Sequence, residues 1–160
     1  MDIRIDRAQE HDVPLILELI RGLAEYERLA DQCVASEAGL SRALFGAQPA
    51  AEVLLAYADG QPAGFALFFH NFSTFLGRRG LYLEDLFVKP EFRRLGIGRR
   101  LLTELARIAV ERGCGRFEWS VLDWNAPAIE FYKSLGATPL DDWIIFRVTG
   151  RALTELAQAR

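Results

Sequence analysis

Apolar residues alternate with charged ones at the start of the chain. Ile3 and Ile5 sit between Asp2, Arg4 and Asp6, which predicts a first strand. Val13, Ile16, Leu17, Ile20, Leu23 and Ala24 then recur at helical spacing on one face, with Pro14 tolerated in the first turn. A second helix is predicted over Glu37–Phe45, with Ser36 as its N-cap and Gly46 as its stop. Strands follow at Glu52–Ala58 and Ala63–His70, joined by the hairpin signal Asp59-Gly60. Asn71–Gly80 reads as an irregular loop, and Leu81–Val88 as a third long strand ended by Pro90. Ile97, Leu101, Leu102, Leu105, Ile108 and Ala109 mark a long amphipathic helix that stops at Gly113. The remainder predicts a strand over Phe117–Leu122 and a helix over Pro127–Leu135, capped by Asn125 and stopped by Gly136. A last strand is predicted over Trp143–Val148 and a terminal helix over Ala152–Ala157. Antiparallel hairpins come first and a strand–helix–strand unit later, so the fold class is α/β with a mixed sheet.

A length of 160 residues suits one domain spanning 1–160, and 51% hydrophobic residues can build a core without disulfides or structural metal. The two cysteines, Cys33 and Cys114, and two histidines, His11 and His70, are too few and too scattered for a zinc site, so no metal is expected. Reduced thiols, no signal-peptide pattern and no run near the ~20 apolar residues of a membrane span point to a cytoplasmic protein. The net charge of −3 argues against nucleic acid and leans toward a small cationic partner.

One turn adds chemistry to this frame. The strand ending at Val88 leads through Lys89-Pro90-Glu91-Phe92 into Arg93-Arg94-Leu95-Gly96-Ile97-Gly98, where the long helix opens. A helix start offers unpaired N–H groups and the positive end of the dipole. Glycines let the backbone approach a bulky anion, and Arg93, Arg94, Arg99 and Arg100 add charge. That is a phosphate or pyrophosphate cradle. The turn fits neither the P-loop nor the dinucleotide fingerprint, and alone it is equally a glycine-rich helix start on a basic surface.

A second segment, Asp123 to Ala137, breaks the tie. Arg93, Gly96 and Gly98 match the Gln/Arg-x-x-Gly-x-Gly/Ala motif. Asn125, Ala128, Phe131, Tyr132, Gly136 and Ala137 match an Asn-x-x-Ala-x-x-Phe-Tyr-x-x-x-Gly-Phe/Ala motif. The pair strongly resembles the Gcn5-related N-acetyltransferase (GNAT) superfamily, over nearly the whole chain. The resemblance implies an acyl-CoA N-acyltransferase fold, a mixed, mostly antiparallel sheet flanked by helices. It also implies acetyl-CoA as co-substrate, with coenzyme A as product. Leu86, Phe87 and Val88 would then pair with the pantetheine arm, and Arg93, Arg94, Leu95, Gly96, Ile97, Gly98 and Arg99 would hold the pyrophosphate. Asn125, Tyr132 and Lys133 would complete the cofactor contacts.

The implied reaction is direct attack of an amine on the thioester. A primary amine of pKa ~10.4 is free base in only roughly one molecule in 10³ at neutral pH, so a base is needed. Glu84, in an otherwise apolar strand, is the candidate base. Tyr132 stands at the family's general-acid position, seven residues or about two turns beyond Asn125. An ordinary tyrosine pKa of ~10 suits a departing thiol of ~8.5. Strand alternation sets Glu84 and Asp85 on opposite faces, so both line one site only if the strand bulges.

Leu23–Glu27, Leu81–Val88 and Trp124–Lys133 are similar to the diamine (spermidine/spermine) and thialysine N-acetyltransferase branch. That similarity implies a homodimer and an amine site built on Glu27, Glu84 and Asp85. The polyamine enzymes carry an acid and a tryptophan in the loop before Leu81, where this chain has Ser73 and Phe75 with Arg78 and Arg79. The difference favours an amino-acid-sized amine over a long polycation. Two rival readings share the fold: a non-catalytic acetyl-CoA sensor, which intact Tyr132 and Glu84 disfavour, and a protein N-acetyltransferase.

Overall fold

Five strands form one sheet in the order β1-β2-β3-β4-β5: β1 (Ile3–Arg7), β2 (Glu52–Ala58), β3 (Gln61–Ser73), β4 (Arg78–Val88) and β5 (Phe117–Trp119). The first four pair antiparallel, and β5 runs parallel to β4. The helices are α1 (Val13–Tyr26), α2 (Glu37–Phe45), α3 (Ile97–Glu111), α4 (Ala126–Ser134) and α5 (Gly150–Gln158). These features come from a computed structural model that describes residues 1–159. The chain divides into two compact units, Met1–Ser120 and a second from Val121 onward.

The core of the first unit follows the sequence periodicity. Ile16, Leu19 and Leu23 of α1 pack with Leu44 of α2, Val53 and Leu55 of β2, Phe65 of β3 and Phe87 of β4. Leu54 and Ala66 alternate to the other sheet face and are buried as well. Ile97, Leu101, Leu102, Leu105 and Ile108 of α3 are buried, and α3 packs on β1 to β4. Each fully buried side chain, Phe65 or Leu101 for example, contributes about 1.5–3 kcal/mol. Arg112, just past α3, donates to Glu52 at 2.6 and 3.0 Å and to His70 Nε2 at 2.9 Å, tying that end of α3 to β2 and β3. The guanidinium holds the Glu52 carboxyl below its usual range.

Local signals hold where they rest on backbone chemistry. Ser36 Oγ accepts from the Gly39 N–H at 3.1 Å and starts α2. Gly46 ends it because a Cβ there would lie 2.4 Å from the Arg42 carbonyl oxygen. Asp59 and Gly60 take φ of 48° and 80°, the left-handed pair of a tight hairpin.

Three expectations fail. Asn71–Gly80 is not an irregular loop: Asn71–Ser73 continue β3, Arg78–Gly80 begin β4, and Ser73 pairs with Arg78. Ser73 Oγ accepts the Leu76 N–H at 3.2 Å and closes the turn. These arms reach past the core and so carry polar residues, which hides their strand character. The strand expected over Phe117–Leu122 ends at Trp119. Trp143–Val148 forms no strand. Its residues are strand-formers, but a strand needs a neighbouring backbone, which propensity cannot supply.

Candidate active site

β4 is the spine of the site. Its pairing to β5 runs from Leu81↔Phe117 to Leu83↔Trp119, so among the described residues no strand pairs with its β5-facing edge from Glu84 to Val88. That stretch contains Leu86, Phe87 and Val88, the residues expected to meet a pantetheine arm. On the β3 side Leu67 pairs with Asp85 but Phe68 pairs with Leu83. Glu84 is therefore the extra residue of a β-bulge, which bends the strand and re-aims its side chains.

The bulge resolves the conflict set by alternation. Glu84 is exposed and Asp85 partly buried, yet Glu84 and Glu27 both act electrostatically on Asp85. Burial first, then Glu84 and Glu27, push the Asp85 carboxyl from its ordinary 3.8 up to about 7. Burial and Glu84 also raise Glu27. The three expected acids therefore form one negative cluster.

The linkage has a definite sign. Between about 3.8 and about 7 the folded chain keeps an Asp85 proton that the unfolded chain has lost, so stability falls as pH rises through that window. Asp85→Asn should therefore raise the thermal midpoint by a few degrees at about pH 8 and leave it nearly unchanged at about pH 3. Thermal unfolding across pH measures this, and equal shifts at both ends would refute it.

Glu27 is the residue after α1, and α1 lies close on β4. A Cβ at Gly22 would fall 2.9 Å from Phe87 Cε2, so the helix approaches because that atom is missing. The Arg93 guanidinium stacks 4.7 Å over the Tyr26 ring, and Arg93 Nε donates to the Val88 carbonyl at 3.0 Å. The Arg93 side chain thus joins the glycine turn to β4 and to the residue beside Glu27. Tyr26 stands inside the segment Leu23–Glu27, where the family resemblance points only to Glu27. Nothing in spacing alone pairs Tyr26 with Arg93.

The turn has the form of an anion cradle. Gly96, with φ of 77°, is the N-cap of α3 and offers no side-chain cap, nor is there an acidic residue in the first turn. A Cβ at Gly98 would meet nothing within 4 Å, so this face of the turn is open to a bulky group. Arg94 holds a left-handed φ of 65°, a conformation that costs a non-glycine residue energy and clusters at functional sites. Leu95 and Arg99 are exposed beside it and Ile97 is buried. Arg100 is engaged elsewhere, donating to the Ile3 carbonyl at 2.9 Å. Uncapped amides, an open glycine face and exposed arginines fit a pyrophosphate.

In the second unit, Asn125 caps α4: its Oδ1 accepts from the Ala128 N–H at 3.4 Å. Its NH₂ remains as the donor for other partners. Tyr132 is partly buried on the same helix, its ring 5.7 Å from that of Phe131. Lys133 is exposed, 3.9 Å from Glu130. Gly136, with φ of 94°, ends the helix. Among the described residues there is no group of His, Cys, Asp and Glu able to hold a metal, and no helix long and apolar enough to cross a membrane.

Residues 20–137 match the family described as Acetyltransferase (GNAT) family. The chain belongs to the GNAT family. It is an acetyl-CoA-dependent N-acetyltransferase. It is 42% identical to a thialysine N-epsilon-acetyltransferase of Sus scrofa, covering 97% of each chain. It is 36% identical to an L-ornithine N5-acetyltransferase of Arabidopsis thaliana, covering 94% of this chain and 86% of that one. Among solved structures, an integron cassette protein from V. cholerae superposes with a TM-score of 0.80 at 30% identity, covering 99% of both chains. As in other GNAT acetyltransferases the co-substrate is acetyl-CoA, which fits the open glycine turn.

Proposed function

We propose that this N-acetyltransferase acts as one catalytic domain and acetylates the side-chain amine of an amino-acid-sized molecule, of the thialysine or ornithine kind. The observation that carries this is the three-carboxylate cluster of Glu27, Glu84 and Asp85, whose mutual repulsion a cationic amine relieves. The relatives named for thialysine and ornithine support it, since both named substrates are single amino acids. Ser73 stands where the polyamine enzymes carry an acid, and Arg78 and Arg79 at the start of β4 add positive charge that disfavours a long polycation.

In this reading the glycine turn and the first amides of α3 hold the pyrophosphate, with Arg94 and Arg99 as its charged partners. Leu86 to Val88 align the pantetheine, and a main-chain N–H there polarises the thioester carbonyl. The Asn125 NH₂ bonds the pantetheine arm, and Lys133 adds a contact. Glu84 takes the amine proton, directly or through water. The amine attacks the carbonyl carbon, the C–S bond breaks, and Tyr132 gives its proton to the departing sulfur. Glu27 and Asp85 bind the cation. The chain works in the cytoplasm as a homodimer.

Paired thiol-release assays with S-(2-aminoethyl)cysteine and spermidine test the substrate. The expected outcome is a kcat/KM at least about tenfold higher for the amino acid, a difference of about 1.4 kcal/mol. Preference for spermidine would overturn the assignment while leaving the acetyltransferase intact.

A further inference from the structure

One face of α1 carries a stripe of contacts that the proton chemistry does not use. Glu18, Gly22 and Tyr26 recur every four residues, so they share one side of the helix. Each meets the end of β4 or the turn that follows it. The Glu18 carboxylate lies 3.6 Å from Lys89 Nζ. Gly22 leaves room for the Phe87 ring, whose Cε2 would stand 2.9 Å from a Cβ there. Tyr26 carries the Arg93 guanidinium 4.7 Å above its ring. The helix is thereby held against the chain from Phe87 to Arg93, about once per turn.

Arg93 makes the last of these contacts, and it uses the whole side chain. The guanidinium lies over the Tyr26 ring and 5.9 Å from the centre of the Phe87 ring, while Nε donates to the Val88 carbonyl at 3.0 Å. A planar guanidinium stacks with its face and donates in its plane at the same time, which a lysine ammonium cannot do. What the stack pins is the end of α1. Glu27 follows Tyr26 directly, and its N–H is still bonded to the Leu23 carbonyl at 2.9 Å. At Arg28 φ turns to 63° and the helix is over. Glu27 is therefore placed by the same turn of α1 that Arg93 holds. Burial and Glu84 both disfavour the Glu27 carboxylate, so its charge and that of Glu84 push the two groups apart. A restraint on this turn opposes that repulsion.

We propose that Arg93 is a positioning residue for the amine site, a role that rests on Glu27 binding the amine. Its side chain clamps Tyr26 to Val88 and so holds Glu27 beside Glu84 and Asp85. The pyrophosphate is left to the first amides of α3, Arg94 and Arg99.

Steady-state kinetics and equilibrium binding of acetyl-CoA on Arg93→Lys, Glu27→Gln and the double variant test it. The amine is whichever of S-(2-aminoethyl)cysteine and spermidine the wild type acetylates faster, so the choice of substrate does not enter. Arg93→Lys keeps the positive charge near the turn and loses the flat stack with its hydrogen bond. It is expected to raise the amine KM about fivefold, with the acetyl-CoA Kd within about twofold of wild type. Glu27→Gln is expected to raise the amine KM by at least as much. In the Glu27→Gln background the Arg93 substitution should add less than about twofold, because its effect passes through Glu27. A substitution that merely loosened α1 would cost the same with either residue at 27.

Three results would overturn the role of Arg93 while leaving the amine site intact. An acetyl-CoA affinity that falls as far as the amine KM rises would return Arg93 to the pyrophosphate. An amine KM unchanged in Arg93→Lys but raised in Glu27→Gln would strike Arg93 alone. Fully additive effects in the double variant would make the stack a packing contact with no special tie to Glu27. A Glu27→Gln variant with unchanged amine KM would overturn the acid-cluster reading itself, and the role of Arg93 with it.

Discussion

Tyr132→Phe is expected to lower kcat about 10²-fold while acetyl-CoA affinity stays within about twofold. General acid catalysis contributes roughly 10²–10⁴-fold. A thiol of pKa ~8.5 leaves more readily than an alkoxide or an amide, so the lower end applies. The substitution removes one oxygen and keeps the ring that lies beside Phe131, so α4 should hold its shape. The measurement is single-turnover thiol release beside equilibrium binding of acetyl-CoA. A kcat loss of less than about threefold would remove Tyr132 from the proton path. A loss of affinity equal to the loss of rate would make it a binding residue instead.

The second large effect is expected at Glu84. Between about pH 7 and about pH 9.4, the free-base fraction of an amine of pKa ~10.4 rises from roughly one in 10³ to roughly one in ten. A base inside the site matters most where free amine is scarcest. Glu84→Gln should therefore lower kcat/KM about 10²-fold near neutral pH and much less above about pH 9. The pH–rate profile of the variant should be steeper than that of the wild type. A profile lowered at all pH values with its shape intact would refute the role. It would point to Asp85, the neighbouring carboxyl that burial and repulsion push up to about 7. Asp85 is otherwise suited to hold a cation: an arriving ammonium favours its ionised form and reverses that shift.

The bulge at Glu84 shows why the acid cluster was only half legible from residues. Alternation is a property of one strand, and it separates Glu84 from Asp85. The offset arises where two strands meet, with Leu67 opposite Asp85 and Phe68 opposite Leu83. No window of one sequence reports such a pairing. The Arg93–Tyr26 stack is the same kind of fact. The motif assigns Arg93 to the pyrophosphate, whereas the structure commits its Nε to the Val88 carbonyl and its face to a ring on α1. The basic charge at the turn is carried outward by Arg94 and Arg99.

The sequence by itself determined everything that depends on near neighbours along the chain. Helical periodicity gave α1 and α3, capping chemistry gave the bounds of α2, and Asp59-Gly60 gave its hairpin. The two motifs gave the family and the co-substrate, because anion binding at a glycine turn is itself local chemistry. Tertiary structure decided what depends on a second backbone. Pairing turned residues 71–73 and 78–80 into strand, the end of the β4–β5 ladder opened the edge beside Glu84, and the bulge gathered three carboxylates. The same reason governs Trp143–Val148. Its side chains specify a strand, but hydrogen bonds between strands need a partner, and composition cannot say which backbone provides it.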